Sequence, residues 1–191
     1  NEVYVADGYG NTRGVKFDKN GKYLLSWGQK GTPPNDKRPG YFNTVHGLAI
    51  DLPTRHVFVS DRQNRRIQVF DHEGKFLRQF PIPSEAPAGL MPWMGNLPNM
   101  NAPNNTQKPG APWTVCITPG PNQVLYTSDA FPGRVYKMSL EGKLLGELGE
   151  VGRQPKEFGW IHQIACPSEN ELYVAEILNW RVQKLTLHPG K

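Results

Sequence analysis

One phrase recurs along the chain and constrains the fold more than any other feature. Each copy is a short apolar run that ends in an acid, followed a few residues later by an arginine and a second apolar run. The acids are Asp7, Asp61, Asp129 and Glu176, and the arginines are Arg13, Arg66, Arg134 and Arg181. In the first three copies a turn with Gly and Lys then leads to a third run. A unit that repeats at roughly 40 to 50 residues predicts a repeat architecture.

The apolar runs have the pattern of β-strands. They are short, rich in Val, Ile, Phe, Tyr and Leu, and they alternate apolar with polar residues, as in Arg66–Phe70. No stretch has a convincing helical period. A further strand is predicted to begin at His46 and at His162, with a weaker instance at Thr114. Four short antiparallel strands per repeat predict the blade of a β-propeller, which is an all-β fold.

We predict one propeller domain over residues 1–191, with about four blades and 14 strands. The segments are a partial first blade at 1–28, a second blade at 42–80, an insertion at 81–112, a third blade at 113–149 and a partial fourth blade at 160–187. The first blade lacks an innermost strand and the fourth lacks an outermost one. Because a partial ring leaves apolar faces uncovered, we expect the 191 residues to belong to a longer chain or to form a homo-oligomer.

Composition limits the classes of partner that the chain is expected to bind. The net charge of +5 arises from 22 basic and 17 acidic residues that are scattered along the chain, which does not favour nucleic acid as a partner. No apolar run approaches the roughly 20 residues of a membrane-spanning helix. Cys116 and Cys166 each lie in a short apolar run and are interpreted as small buried hydrophobes. No disulfide is predicted, and the redox compartment stays open.

The repeated acid and arginine are interpreted as structural. An acid followed by an arginine at the same place in every blade suits an ion pair that ties the turn together. This interpretation is favoured over a catalytic role because structural ion pairs are the more common kind. It is applied to four residues in particular: Asp129, Arg134, Glu176 and Arg181.

Four phrases in order carry a resemblance to a known family: DGYGNTR, FNTVHGLAID, VSDRQNRRIQVF and HQIA. They resemble the NHL-repeat β-propellers and, among these, peptidyl-α-hydroxyglycine α-amidating lyase, which completes C-terminal amidation of peptides. The resemblance implies a six-bladed ring, of which this chain supplies a part, with zinc at one end of the central channel. It also implies a secreted or periplasmic protein that acts on a peptide or small-molecule substrate.

The resemblance assigns roles by position. His46 in TVHGL and His162 in WIHQI match two of the three zinc-binding histidines of the family. The third would lie in a blade upstream of Asn1, so the zinc ligands of this chain are incomplete. Tyr9 matches the tyrosine proposed as the base, and Arg62 matches an active-site arginine. A guanidinium there suits a substrate carboxylate, which it can hold by two parallel hydrogen bonds.

Three departures count against an identical activity. Gly10 stands where the family has a disulfide-bonded cysteine, and Trp160 stands where it has a methionine near the metal. Gln163 stands where the family has an acid linked to a structural calcium, which leaves calcium binding open. The other histidines are interpreted as surface residues: His56, His72 and His188.

The insertion after the second blade is the largest break in the repeat. It is rich in Pro, Asn and Gly, with Leu90, Met91, Trp93 and Met94 interspersed. Its place between an outermost and an innermost strand puts it on the face that carries the two histidines. We expect a packed lid or a contact surface.

Two functions remain open. The first is a zinc-dependent lyase acting on a small hydroxylated or carboxylated substrate. The alternative is a non-catalytic NHL propeller that binds a protein, glycan or RNA partner. A lactonase-like propeller would need converging Glu and Asn ligands for calcium, which the repeats do not reveal. Convergence of His46, His162, Tyr9 and Arg62 on one point favours the lyase.

Overall fold

The computed structural model describes residues 2–187, and within them the chain forms β-strands and no α-helix. In chain order the strands are β1 (Glu2–Asp7), β2 (Arg13–Asp18), β3 (Tyr23–Trp27), β4 (Gln29–Lys30), β5 (Tyr41–Phe42), β6 (Val45–Asp51), β7 (His56–Asp61), β8 (Arg66–Phe70), β9 (Phe76–Pro81), β10 (Val115–Ile117), β11 (Leu125–Ser128), β12 (Val135–Met138), β13 (Leu144–Leu148), β14 (Glu150–Val151), β15 (Glu157–Phe158), β16 (Ile161–Ser168), β17 (Glu171–Glu176) and β18 (Arg181–Thr186). His188, interpreted as a surface residue, lies outside the described residues.

Four antiparallel sheets follow one another along the chain. They are β1-β2-β3, β6-β7-β8-β9, β10-β11-β12-β13 and β16-β17-β18, called here the first to fourth sheets. Each meanders so that sequence neighbours are paired, which is the topology of propeller blades. The four sheets contain 14 of the 18 strands, which confirms the all-β prediction of about four blades and 14 strands. Two short parallel pairs, β4-β5 and β14-β15, lie in the connections that lead to the second and fourth sheets.

The hairpin before the third apolar run has the same local cause in each of the first three sheets. The carboxylate of Asp18 accepts hydrogen bonds from the amides of Asn20 and Lys22, at 2.8 and 2.9 Å. Asp71 binds its turn amides in the same way, and the hydroxyl of Ser139 does so in the third sheet. A short polar side chain that closes its own turn explains why these copies read alike.

The core lies between neighbouring sheets. One apolar cluster joins the first and second sheets, a second joins the second and third, and a third joins the third and fourth. The short parallel pairs contribute Phe42 and Phe158, both fully buried. Gly28 has a φ of 110°, and a Cβ added there would lie 2.6 Å from the ring of Phe42. A glycine therefore lets the connection close over this ring.

The two cysteines correct a prediction. Cys116 in β10 and Cys166 in β16 form a disulfide, with their Cα atoms 6.1 Å apart. The expectation of two separate thiols was wrong because β10 and β16 lie side by side at the interface of the third and fourth sheets. Each apolar run taken alone carries no sign of this contact.

The acid and arginine form the expected ion pair in three sheets, at N–O distances of 2.7 to 2.8 Å: Asp7–Arg13, Asp61–Arg66 and Glu176–Arg181. The third sheet differs. Arg134 pairs with Glu147 at 2.9 Å, while Asp129 accepts hydrogen bonds from the Tyr136 hydroxyl and from backbone amides. The predicted Asp129–Arg134 ion pair was wrong because these donors already occupy the carboxylate.

Apolar side chains are exposed on the outer faces of the first and fourth sheets. Val3 and Val5 are 51% and 40% exposed on β1, and Tyr173 and Val182 are 38% and 64% exposed on the fourth sheet. Their neighbours along each strand point the other way, into the core between sheets. Coverage by more chain or by another copy stays a prediction. No helix in residues 2–187 has the length and hydropathy needed to cross a membrane.

Candidate functional site

Equivalent backbone positions bring two histidines together. His46 is the second residue of β6 and His162 the second residue of β16, so each begins the innermost strand of its sheet. Two positions earlier stand Thr44 and Trp160, with φ values of 63° and 58°. The two innermost strands therefore begin with the same left-handed backbone conformation, and their histidines lie side by side. Their ring centroids are 5.1 Å apart.

The hydrogen bond of His46 determines its tautomer. Its Nδ1 lies 2.5 Å from the carbonyl oxygen of Trp113. A carbonyl oxygen only accepts, so Nδ1 carries the proton and donates, and Nε2 keeps a free lone pair. Burial, with the positive charge of Arg62, lowers the pKa of His46 to about 4. The same two causes lower the pKa of His162. Both rings are thus neutral at neutral pH, the form that binds metals.

Arg62 is a buried cation without an acidic partner. Its side chain is among the largest that are fully buried, and no acidic side chain of residues 2–187 forms an ion pair with it. One Nη1–H donates to the hydroxyl of Tyr9 at 3.1 Å, while Nε has no acceptor. The guanidinium carbon lies 4.7 Å from the ring centroid of Trp113. Because leaving a buried cation unpaired is costly, this arrangement favours an anionic ligand.

Tyr9 reaches the same place from the first sheet. It lies in the turn between β1 and β2 with a φ of 40°, and its side chain is 73% exposed. A Cβ added to Gly8 would lie 1.7 Å from the carbonyl oxygen of Val45, so this turn rests directly on the start of β6. The tyrosine ring centroid lies 5.9 Å from that of His46.

The four side chains proposed from sequence therefore lie together, around a residue that sequence reasoning missed. Trp113 is 4% exposed, and its ring centroid lies 5.2 Å from that of His46 and 5.7 Å from that of His162. It also contacts Trp160, whose centroid lies 5.3 Å away and whose Nε1 has no acceptor. The signal was present, because Trp113 precedes Thr114, the repeat counterpart of the two histidines.

The residues fit two zinc ligands and no more. Neutral imidazoles are good zinc ligands, and a carbonyl bound to the other ring nitrogen is a usual outer-shell partner. In the part of the chain described, residues 2–187, no group of three His, Cys, Asp or Glu is placed to hold a metal ion. Gln163, at the calcium-linked position, accepts a hydrogen bond from Thr114 at 3.0 Å.

Two other histidines lie away from this site. His72 lies 3.3 Å from Glu73 in an exposed turn, and His56 begins β7.

The insertion borders the site. Asn43 donates to the carbonyl of Pro103 at 3.2 Å, and the indole of Trp113 donates to the carbonyl of Thr106 at 3.0 Å. Earlier in the segment, Met91, Met94 and Leu97 are more than half exposed. A role as a lid or contact surface stays a prediction.

A groove also lies away from these residues. It has a volume of about 840 Å³, runs between β13 and β18, and contains none of the four proposed site residues. In the second and third sheets a fourth strand pairs with the counterpart of β18. We therefore interpret the groove as a consequence of the three-stranded fourth sheet.

Comparisons with known proteins support the repeat architecture. The sequence model of the NHL repeat matches residues 42–70, and solved propellers align with nearly the whole chain. The chain is therefore a β-propeller in which residues 42–70 match the NHL repeat. It is 42% identical over 77 residues to peptidyl-glycine alpha-amidating monooxygenase A of Xenopus laevis, which is 40% of this chain and 8% of that protein. It is 25% identical over 188 residues to peptidyl-alpha-hydroxyglycine alpha-amidating lyase 1 of Drosophila melanogaster, which is 96% of this chain and 32% of that protein.

The likeness to solved structures concerns the fold alone. Virginiamycin B lyase of Staphylococcus aureus aligns with a TM-score of 0.54 at 13% identity, covering 97% of this propeller and 52% of that chain. A protein of unknown function from Bacteroides caccae aligns with a TM-score of 0.52 at 14% identity, covering 98% and 58%. The chain spans about half of these structures, and a third or less of the curated relatives it matches.

Proposed function

We propose that this propeller is a lyase that cleaves peptidyl-α-hydroxyglycine, or a similar small hydroxylated carboxylate, at the mouth of its channel. The observation that carries the proposal is the meeting of a buried, unpaired Arg62 with Tyr9 and two neutral histidines. Similarity to relatives named as amidating lyases supports it. Arg62 would hold the substrate carboxylate with its guanidinium, whose Nε has no acceptor in the described residues.

The chemistry follows from the substrate class. The reacting carbon carries a hydroxyl, a carboxylate and the amide nitrogen of the peptide. Tyr9, as its phenolate, would take the hydroxyl proton, the C–O bond would become a carbonyl, and the C–N bond would break. The nitrogen then takes a proton, which gives a peptide amide and glyoxylate. His46 and His162 would hold a zinc ion, which when bound supplies a Lewis acid for substrate oxygen.

The compartment is part of the proposal. A disulfide between Cys116 and Cys166 is typical of oxidising environments. It supports the secreted or periplasmic location that the family resemblance implied.

The test combines metal content with product release. Full-length protein purified without chelator is assayed for zinc and for glyoxylate formed from a peptidyl-α-hydroxyglycine. We expect His46→Ala and His162→Ala to lose zinc and activity together, and His72→Ala, in an exposed turn, to lose neither. Zinc-loaded protein that releases no glyoxylate would overturn the proposed activity.

The alternative is a non-catalytic NHL propeller that binds a protein, glycan or RNA partner. It is favoured by 38% identity over 74 residues to human NHL repeat-containing protein 3, which covers 38% of this chain and 20% of that protein. The exposed apolar side chains of the insertion would suit a protein partner. Pull-down that survives His46→Ala, together with no lyase activity, would favour this alternative.

A further inference from the structure

We propose that Trp113 is a positioning residue of the site, and that the insertion before it holds it in place. The effect on turnover rests on the proposed function, but the positioning of His46 does not. Trp113 lies outside the four phrases that resemble the lyase family, so the resemblance gives it no role.

Trp113 contacts three of the proposed site residues by two different means. Its backbone carbonyl accepts the Nδ1–H of His46 at 2.5 Å, which selects the tautomer with a free Nε2. Its indole ring lies against the guanidinium of Arg62, 4.7 Å from centroid to carbon, and against His162. One residue thus orients both a candidate ligand and the candidate anion-binding group.

Both the backbone and the side chain of Trp113 are held by hydrogen bonds. Its backbone amide donates to the carbonyl of Ser128 in β11 at 2.9 Å, and its indole Nε1 donates to the carbonyl of Thr106 in the insertion at 3.0 Å. With 4% exposure and with the ring of Trp160 beside it, the indole has little freedom. The insertion therefore determines where this ring lies.

The insertion is anchored at that point by buried groups. Lys108 is fully buried and donates to the carbonyl of Ala102 at 2.6 Å. Arg65 donates to the carbonyl of Pro109 at 2.6 Å, and the amide of Gly110 donates to Asp129 at 2.9 Å. The bond from Lys108 closes the segment on itself, and the bonds with Arg65 and Asp129 tie it to the second and third sheets, so the position of Thr106 is specified by tertiary structure.

Loss of the indole should release both partners. Arg62 would lose a desolvated cation–π contact that partly offsets its burial, and its unpaired Nε would be free to turn. Without the indole bond to Thr106, the backbone at position 113 would be held only by the bond from its amide to Ser128, so the short bond to His46 would lengthen. His46 would then populate both tautomers.

The experiment uses the full-length, metal-free protein and reads the tautomer by imidazole ¹⁵N NMR. We expect His46 to be the Nδ1–H tautomer in the wild type, and Trp113→Leu to give a mixture of tautomers. Trp113→Phe, which keeps a ring but loses the bond to Thr106, should give a smaller change. Trp27→Leu is the matched control, because Trp27 is 9% exposed in the cluster between the first and second sheets. It should leave the tautomer unchanged.

Zinc affinity and kinetics complete the test. For an outer-shell partner of a metal ligand, we expect Trp113→Leu to weaken zinc binding by about 10- to 100-fold, with kcat reduced and the tautomer changed together. An unchanged tautomer and unchanged zinc affinity in folded Trp113→Leu would overturn the positioning role. If the tautomer changes in a protein that neither binds zinc nor releases glyoxylate, the positioning role stands and the proposed function fails.

Discussion

Arg62 donates a hydrogen bond from Nη1 to the hydroxyl of Tyr9 over 3.1 Å. The two residues come from turns in different sheets, 53 positions apart. One is fully buried and the other is 73% exposed, so the pair joins the protein interior to the surface. A cation beside a phenol oxygen is suited to a reaction in which that oxygen takes a proton next to a bound carboxylate.

Tyr9→Phe should lower turnover of a peptidyl-α-hydroxyglycine by roughly 10²-fold, as expected for loss of an acid–base group. Stability should be nearly unchanged because the side chain is largely exposed. The measurements are kcat and the thermal midpoint, with Tyr23→Phe, at an exposed position in β3, as the control. Unchanged turnover would reduce Tyr9 to a packing residue.

Arg62→Lys should impair recognition of the substrate carboxylate, because lysine keeps the charge but lacks the planar fork. The readout is the ratio of kcat/KM for a substrate with a free carboxylate to that for its amide. A charge-assisted hydrogen bond of about 1.5–3 kcal/mol predicts that the wild-type ratio exceeds that of the variant by roughly 10- to 100-fold. Arg55→Lys, in an exposed ion pair with Glu2, should keep the wild-type ratio. Equal ratios in all three proteins would contradict carboxylate binding by Arg62.

Arg66→Met should destabilise the fold by about 3–5 kcal/mol, because it leaves the fully buried carboxylate of Asp61 without its cation. The matched change Arg134→Met should cost less than about 1 kcal/mol, because Arg134 pairs with the exposed Glu147. Urea unfolding of both variants measures the difference. Equal losses would show that the arginine has the same role in both sheets.

Removing the disulfide should lower the free energy of unfolding by about 4 kcal/mol, the chain-entropy value for a closed loop of 50 residues. The double variant Cys116→Ala and Cys166→Ala is compared with oxidised and reduced wild type in urea. The double variant and the reduced wild type should agree. A reduced protein as stable as the oxidised one would show that the sheet interface holds without the bond.

Acid should weaken the fourth sheet through Glu176. Burial alone would raise its pKa, but hydrogen bonds from Arg181, Gly159, Gln183 and Asn179 lower it below the ordinary 4.5. A carboxyl whose pKa is lower in the folded state stabilises the fold above its ordinary pKa, and that contribution is lost as the pH falls through the folded value. Unfolding free energies from neutral pH to about pH 3 should therefore fall less steeply for Glu176→Gln than for the wild type. Parallel curves would contradict the shift.

The sequence by itself determined the architecture. Strand alternation, the turns closed by Asp18, Asp71 and Ser139, and the repeated acid and arginine are local patterns, and each acts within a few residues of itself. A local cause is visible in a single stretch of sequence. Aligning the repeats also placed His46 and His162 at equivalent strand positions.

Only the tertiary structure decided which distant residues touch. The bond between Cys116 and Cys166, the turn of Arg134 toward Glu147, and the place of Trp113 beside His46 all depend on how one sheet packs against the next. None of these contacts has a periodic signature, because each joins positions whose separation depends on the length and path of a connection. These contacts stabilise the fold only after the sheets have packed and brought the partners together. No single stretch of the sequence specifies that packing.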